Sequence, residues 1–257
     1  MQIEKYIAER KKTKEILIMT HQIIGYPDFE TNEKAIDCFY KNGVDMIELQ
    51  IPFSDPVADG PAFAKSNQAA LEKGVKVKQC LDFIEKISGK YPITFLIMTY
   101  YNILYQYGVP QFVKKCKEIN VKGIIVPDAA IDEAHEYYEG CSNEGISAIT
   151  IASPYSDKSR IEKLSIAGDG FIYYVPRKGV TGCKTDFNLD VLDKISLVKE
   201  YSGKNVAVGF GIQNQDDVKR LVGVADIAII GSKIQKVIED EGIEALDNFI
   251  KSICSVN

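Results

Sequence analysis

Eight short apolar runs recur along the chain, and longer segments with helical spacing separate them. Each run is apolar on both faces, which is typical of a strand in a parallel sheet that is covered by helices. The runs cover residues 16–24, 44–51, 93–100, 122–128, 147–153, 170–176, 205–211 and 226–232. The pattern therefore predicts eight parallel strands.

The segments between the runs have the pattern of amphipathic helices, and the clearest are residues 31–43, 109–120, 131–145 and 214–225. In the first of them, Thr31 or Asn32 is the predicted N-cap, and Gly43 ends the helix. This alternation predicts an α/β fold, a single-domain (β/α)8 TIM barrel over residues 1–257 with an extra N-terminal helix. A doubly wound open sheet is the alternative, although it favours a GxGxxG motif after its first strand, where this chain has IIGYPDFE.

Composition and charge narrow the range of partners. Acidic residues exceed basic ones, for a net charge of −5, and no basic block is present to neutralise the phosphates of nucleic acid. The charged N-terminus lacks the apolar core of a signal peptide, and no apolar run approaches the ~20 residues that span a bilayer. We therefore expect a cytoplasmic protein that binds neither nucleic acid nor membrane.

The cysteines and histidines lack the spacing of a metal site. The six cysteines include no CxxC pair, which argues against zinc and indicates reduced thiols rather than disulfides. The two histidines, His21 and His135, are too few for a site with several histidine ligands. No metal is predicted.

In a barrel of this kind, functional residues lie at the carboxyl ends of the strands and in the loops that follow. The second run leads into such a loop through the string IELQIPFSDPVADGP, residues 47–61. Alternation along the strand places Glu48 on the inward face with Met46 and Gln50, and the apolar residues between them on the outer face. A partly desolvated carboxylate there suits proton transfer near neutral pH. A buried structural Glu, paired with Lys or Arg or bonded to the backbone, is an equally good interpretation.

Two further acids, Asp55 and Asp59, lie in the loop after this strand. Asp beside Pro and Gly commonly forms Asx turns. From the residues alone, turn structure is the better interpretation for Asp55. For Asp59, turn structure and function are evenly matched.

Glycines follow three consecutive strands, the sixth to the eighth. Glycine allows backbone N–H groups to approach an anion closely, and a helix that begins at Ser232 adds its N-terminal dipole. Barrels frequently bind phosphate in the loops after strands seven and eight. The pattern therefore favours a phosphate-bearing ligand over simple turns. The residues are Gly179, Gly182, Gly209, Gly211, Gly231 and Ser232.

The strings IELQIPFSDPVADGP, RKGVTG, VGFGI and IIGS, in this order and spacing, resemble the tryptophan synthase alpha subunit family. Weaker matches, IIGYP, MTYYN and VPD, fill the intervals, so the resemblance covers essentially the whole chain. It implies a lyase of tryptophan biosynthesis that cleaves indole-3-glycerol phosphate to indole and glyceraldehyde 3-phosphate by a retro-aldol reaction. It also implies a beta subunit as partner in an α2β2 tetramer, with PLP held only by that partner and no cofactor in this chain.

Matching the motifs residue by residue implies specific roles. Glu48 corresponds to the catalytic acid/base, Asp59 to the acid that binds the indole N–H, and Tyr173 to the tyrosine that flanks the acid/base. Asn102 and Asp128 correspond to polar residues that face the partner subunit and the mouth of the site. The mobile loop after strand six includes Thr181 and Gly182, and the phosphate cradle is formed by Gly182, Gly209, Gly211, Gly231 and Ser232.

The chain departs from the family pattern near the predicted site. Gln50 stands where the family usually has a small Gly, His21 and Gln22 precede the loop after strand one, and Tyr26 and Pro176 are also unusual. His21 is either a proton donor at the barrel mouth or a structural histidine. Half-buried histidines are commonly structural, so the structural interpretation is favoured about twofold.

Two other functions fit parts of the pattern. A different phosphate-handling barrel enzyme, such as a sugar-phosphate isomerase or aldolase, would need a Schiff-base Lys or a Glu/His pair at the strand ends. Lys122, Lys178 and Lys233 lie at strand starts or in loops, which does not suit that chemistry. A binding or regulatory subunit with weak catalysis is the third hypothesis, because several of the departures lie where the family meets its partner.

Overall fold

Eight parallel strands pair in chain order and close into a barrel, with the last strand beside the first. The structure is a computed structural model that describes residues 2–176, 189–209 and 211–256. The strands are β1 (Leu17–Ile23), β2 (Met46–Gln50), β3 (Thr94–Met98), β4 (Gly123–Ile125), β5 (Ser147–Ala152), β6 (Phe171–Tyr174), β7 (Asn205–Val208) and β8 (Ile227–Ile230). This confirms the predicted barrel and excludes the open sheet.

Helices cover the outside of the barrel. Within the described residues they are α1 (Gln2–Arg10), α2 (Phe29–Lys41), α3 (Pro61–Glu72), α4 (Val77–Lys90), α5 (Tyr101–Tyr107), α6 (Val109–Glu118), α7 (His135–Glu144), α8 (Lys158–Ala167), α9 (Leu189–Ser202), α10 (Gln215–Leu221), α11 (Ser232–Glu241) and α12 (Ile243–Cys254). None of these helices is long and apolar enough to cross a membrane.

The predicted cap of α2 is wrong. Asp28 is the N-cap, and its carboxylate accepts a hydrogen bond from the Thr31 backbone N–H at 2.7 Å. Asn32 lies inside the helix and is buried, where its side chain accepts from the Gly25 N–H at 2.7 Å. The buried amide therefore holds the loop after β1 rather than starting the helix.

The inward and outward faces of β2 agree with the predicted alternation. Met46 packs in the cluster that fills the barrel interior, whereas Ile47 and Leu49 pack in the larger cluster between the strands and the helices. Glu48 and Gln50 are buried on the inward side with Met46. The strand therefore presents its polar side chains to the barrel interior.

The predicted N-terminal helix, α1, closes the barrel at the end opposite the carboxyl ends of the strands. Its residues Ile3 and Ile7 are buried in the same interior cluster as Met46. Just before β2, the buried carboxylate of Asp45 pairs with Arg10 at 2.7 Å and with Lys14 at 2.9 Å. This end is therefore packed and cross-linked by ion pairs, which leaves the opposite end for ligands.

Candidate active site

A cavity of about 290 Å³ opens at the carboxyl ends of the strands, where the barrel fold predicts function. Apolar side chains such as Met98, Ile125 and Ile229 form part of its wall. The remaining wall contains seven of the nine predicted site residues: Glu48, Asp59, Tyr173, Gly209, Gly211, Gly231 and Ser232. Thr181 and Gly182 lie outside the described residues.

Glu48 is held rigidly in β2 and is almost fully buried, with 2% of its surface exposed. Its register neighbours are His21 in β1 and Leu96 in β3. The His21 Nδ1 atom lies 3.2 Å from Glu48 Oε2, which is ion-pair distance. No aligned hydrogen bond from the described residues reaches that oxygen. A structural Glu is expected to pair with Lys, Arg or the backbone. Glu48 instead lies beside a histidine at the cavity wall.

Asp59 is buried in the loop after β2 and is held by two amides. Gln50 Nε2 donates to its Oδ2 at 2.6 Å, and Asn67 Nδ2 donates to the same oxygen at 3.2 Å. Burial raises the pKa of Asp59, and the hydrogen bond from Gln50 and the nearby His21 offset only part of that rise. Asp59 is thus a fixed, partly desolvated carboxylate within one cavity with Glu48.

Tyr173 lies in β6, across the cavity from β2, and is 9% exposed. Burial, followed by the nearby Glu48 and Asp59 carboxylates, raises its pKa well above the usual tyrosine value. Its hydroxyl therefore stays protonated and serves as a hydrogen-bond donor or as a packing surface.

The glycines of the last two strand ends lie close to these side chains. A Cβ atom on Gly209 would lie 2.2 Å from Tyr173 Cε1, and one on Gly231 would lie 2.8 Å from Phe63 Cζ. Ser232 begins α11, and Gly231 is its N-cap residue, so the helix starts at the cavity wall as predicted. The N-terminus of α11 at this wall suits an anion, because the first N–H groups of a helix have no partner within it.

Three other predicted polar residues lie away from the cavity wall. Asp55 is exposed and bonds to Ser54 within its loop, as expected for turn structure. Asp128 Oδ1 accepts a hydrogen bond from the Tyr101 N–H at 2.8 Å, at the start of α5. Asn102 is exposed on the same helix. These residues surround the mouth rather than the interior.

Sequence reasoning did not identify Phe63 and Asn67, two residues that contact the side chains around the carboxylates. Phe63 stacks on the His21 ring with centroids 4.7 Å apart, and Asn67 binds Asp59. Both lie on α3, directly after the ADGP of the loop. A small signal exists in the sequence, because Phe63 and Asn67 are four positions apart and therefore share one face of a helix.

The comparisons with known proteins cover the whole barrel. The family model described as tryptophan synthase alpha chain matches residues 7–256. The tryptophan synthase alpha chain of Desulforapulum autotrophicum is 44% identical over 251 residues, which are 98% of this chain and 99% of that protein. The chain belongs to the tryptophan synthase alpha chain family. As a member, it is a lyase of tryptophan biosynthesis that cleaves indole-3-glycerol phosphate.

Solved structures agree with this membership. A structure of Mycobacterium tuberculosis tryptophan synthase superposes with a TM-score of 0.92 at 27% identity, covering 99% of this chain and 97% of that one. A structure of the Pyrococcus furiosus tryptophan synthase a2b2 complex superposes with a TM-score of 0.85 at 28% identity, covering 94% and 98%. Membership of this family therefore favours cleavage of indole-3-glycerol phosphate over the reaction of a sugar-phosphate isomerase or aldolase. In addition, no lysine lines the cavity among the residues that the structure describes.

Proposed function

We propose that Glu48 and Asp59 are the catalytic carboxylates for cleavage of indole-3-glycerol phosphate in this cavity. The observation that carries the proposal is that both are buried on the wall of one cavity that Gly209, Gly231 and Ser232 also line. The two carboxylates and the helix N-terminus at Ser232 therefore belong to one site. A substrate with an indole ring at one end and a phosphate at the other matches this arrangement.

The chemistry explains the residue types. Breaking the bond between indole C3 and the glycerol chain requires a proton on C3, which leaves positive charge on the ring nitrogen. The Asp59 carboxylate stabilises that charge as it develops. The side-chain hydroxyl loses a proton as the carbonyl forms, and Glu48 relays both protons. Tyr173, beside both carboxylates, packs against the reacting part of the substrate.

The phosphate end supplies position rather than chemistry. Gly209, Gly211, Gly231 and Ser232 hold the phosphate. By their match to the family motif, Thr181 and Gly182 are assigned to phosphate binding as well. Anchoring the phosphate holds the reacting carbons beside Glu48 and so lowers the entropic part of the barrier.

The test is replacement of Glu48 by Gln. We expect Glu48→Gln to lower the rate of indole release by at least about 100-fold, the usual minimum for loss of a general acid/base, while substrate still binds with similar affinity. Asp55→Asn is the matched control, because Asp55 is an exposed acid in the loop that follows β2. Steady-state assays of indole release and calorimetric binding measure the two effects. Retained turnover in Glu48→Gln would rule out the assigned role.

The partner follows from the family. One of its solved relatives, from Pyrococcus furiosus, is described as the tryptophan synthase a2b2 complex. The same assembly is proposed here: an α2β2 tetramer in the cytoplasm, with PLP bound by the beta subunit and no cofactor in this chain. We also propose that the chain is a single domain over residues 1–257 and that it binds neither membrane nor nucleic acid.

A further inference from the structure

His21 and Gln50 connect the two carboxylates of the site. His21 Nδ1 lies 3.2 Å from Glu48 Oε2, and His21 Nε2 lies 2.9 Å from Gln50 Oε1. Gln50 Nε2 then donates to Asp59 Oδ2 at 2.6 Å. All four side chains are buried, so this chain of contacts is shielded from bulk water.

Two backbone groups determine how the amides in this chain are oriented. The Phe53 N–H donates to Asn67 Oδ1 at 3.0 Å, and Asn67 Nδ2 donates to the Phe63 carbonyl at 2.8 Å. Asn67 Oδ1 is therefore an acceptor, and Gln50 Nε2 faces both this oxygen, at 3.3 Å, and Asp59 Oδ2. The Gln50 amide nitrogen must point to these two acceptors, which leaves its Oε1 facing His21.

The orientation of Gln50 determines the protonation of His21. Because Gln50 Oε1 can only accept, His21 Nε2 must carry a hydrogen. A neutral ring would then present the Nδ1 lone pair to Glu48 Oε2, and an ionised carboxylate would repel it. The 3.2 Å approach is therefore favourable when the pair holds one further proton, on His21 Nδ1 or on Glu48 Oε2.

We propose that His21 shares one proton with Glu48 and that this pair, aligned by Gln50, is the proton-transfer unit of the cleavage reaction. The pair gives its proton to indole C3, the bond from C3 to the glycerol chain breaks, and the proton from the side-chain hydroxyl returns to the pair. Protons and electrons balance, and the pair is regenerated without another reactant. The inference rests on the proposed role of Glu48.

The groups that face His21 favour a charged ring. Glu48, Asp59 and Tyr173 line the main cavity with it, and Tyr26 and Glu239 line a small cavity on its other side. No lysine or arginine lines either cavity among the described residues. Burial lowers the pKa of His21, but the Glu48 and Asp59 charges and the Gln50 hydrogen bond outweigh it, so the pKa lies above the ordinary value of 6.5.

The sign of the pH dependence follows. His21 loses its proton as the pH rises through its raised pKa, and the shared proton is then lost. The single-turnover rate of cleavage should therefore fall on the basic side, above pH 6.5. Gln50→Met removes the acceptor at Nε2, so it should move this fall to lower pH.

The test separates proton sharing from simple positioning. His21→Asn keeps a hydrogen-bond donor near the Nδ1 position but does not titrate. We expect it to lower the single-turnover rate by about 10-fold to 100-fold, the upper figure being the smallest usual contribution of a general acid/base. The decrease in rate at basic pH should disappear, and KM should change little. His135→Asn is the matched control, because His135 is exposed on α7, and it should keep the wild-type profile.

A second measurement does not depend on turnover and leaves the site residues unchanged. Nitrogen-15 NMR of histidine-labelled wild-type protein would report the two rings separately, because His135→Asn assigns the other signal. We expect Nε2 of His21 to stay protonated throughout and Nδ1 to titrate above pH 6.5. A ring protonated only at Nδ1, or a His21→Asn variant with the wild-type rate and pH profile, would overturn the proposal. A failure of Glu48→Gln to lose turnover would instead remove the proposed role of Glu48.

Discussion

Gly209 lies so close to Tyr173 that no side chain fits between them. A Cβ atom there would lie 2.2 Å from Cε1 and 2.3 Å from the hydroxyl of the ring. The glycine is thus required by the packing of a site side chain, in addition to any contact with phosphate. The same holds for Gly231, where a Cβ atom would lie 2.8 Å from Phe63 and 3.2 Å from His21 Cβ.

This contact predicts the effect of Gly209→Ala. The added methyl group must displace the Tyr173 ring into the cavity, so we expect the rate of indole release to fall at least 10-fold and the free energy of unfolding to fall by about 1–3 kcal/mol. Activity assays and denaturant unfolding measure the two effects. Gly89→Ala, at an exposed helical position with no atom within 4 Å of the new Cβ, is the control. Full activity in Gly209→Ala would contradict the contact.

At the same scale, the sequence could predict some site residues and not others. The inward position of Glu48 followed from alternation along β2, which is a local property of one strand. The pairing of His21 with Glu48 depends on the register between β1 and β2, and nothing in either strand alone specifies it. The role of Asn67 depends on how α3 packs over β1 and β2, and the sequence of α3 alone does not predict that packing.

At the scale of elements, helix α1 is tied to the bottom of the barrel through buried acids. Asp226, just before β8, is 1% exposed at its side chain and pairs with Lys11, which directly follows α1, and with Lys199 of α9. It also accepts a hydrogen bond from the Val206 N–H at 2.9 Å. One carboxylate at the start of β8 therefore joins the end of α1, helix α9 and strand β7.

Asp226→Asn tests this tie. Burial alone would raise the pKa of Asp226, but the hydrogen bonds from Lys11 and Lys199 outweigh it and leave the pKa below its usual value. The stabilisation is present at neutral pH and is lost as the pH falls through that lowered value. We expect the variant to lose about 2 kcal/mol of unfolding free energy at pH 7, and the difference from wild type to shrink below about pH 4.

Thermal and denaturant unfolding across this pH range provide the measurement for Asp226. Glu9→Gln is the control, because Glu9 is 70% exposed at its side chain and pairs with Lys12, which is 67% exposed. A control as destabilised as Asp226→Asn, or a difference that does not depend on pH, would contradict the assignment.

The elements also differ in how readily the sequence reveals them. Every predicted run contains a strand, but the strands are shorter, as in residues 122–128, of which only Gly123–Ile125 pair as β4. Two apolar residues of this run are not strand: Val126 packs in the cluster between the strands and the helices, and Pro127 lines the cavity. Helix α3 is harder to recognise from its pattern, since its buried face includes the polar residues Ser66 and Asn67.

At the scale of the whole molecule, exposed aromatic residues surround the cavity mouth. Tyr105 of α5 is 69% exposed, and Tyr155, in the segment after β5, is also 69% exposed. Both follow the carboxyl ends of strands and so lie at the same end of the barrel. Exposed tyrosines at one end match the composition of protein interfaces, and they surround the entrance to the proposed active site.

Tyr105→Lys tests whether this end binds the beta subunit. Tyrosines contribute strongly to interfaces, so we expect the variant to weaken binding to a beta subunit at least 10-fold, which is about 1.4 kcal/mol. The basal rate of indole release without the partner should stay within twofold. Ile166→Lys, 84% exposed near the end of α8, is the matched control. Calorimetric titration with a beta subunit measures both, and equal loss in the two variants would argue against this surface.

The tie between α1 and Asp226 has a consequence for synthesis of the chain. Lys11 and Asp226 are 215 positions apart, and β1 gains its second neighbour only when β8 is made. Throughout most of translation, the emerging chain therefore carries an open strand edge and the apolar side chains of Ile3 and Ile7 without their final cover. Such surfaces are what chaperones bind and what drives aggregation. A chain that stops short of residue 226 is thus a substrate for quality control rather than a smaller version of the enzyme.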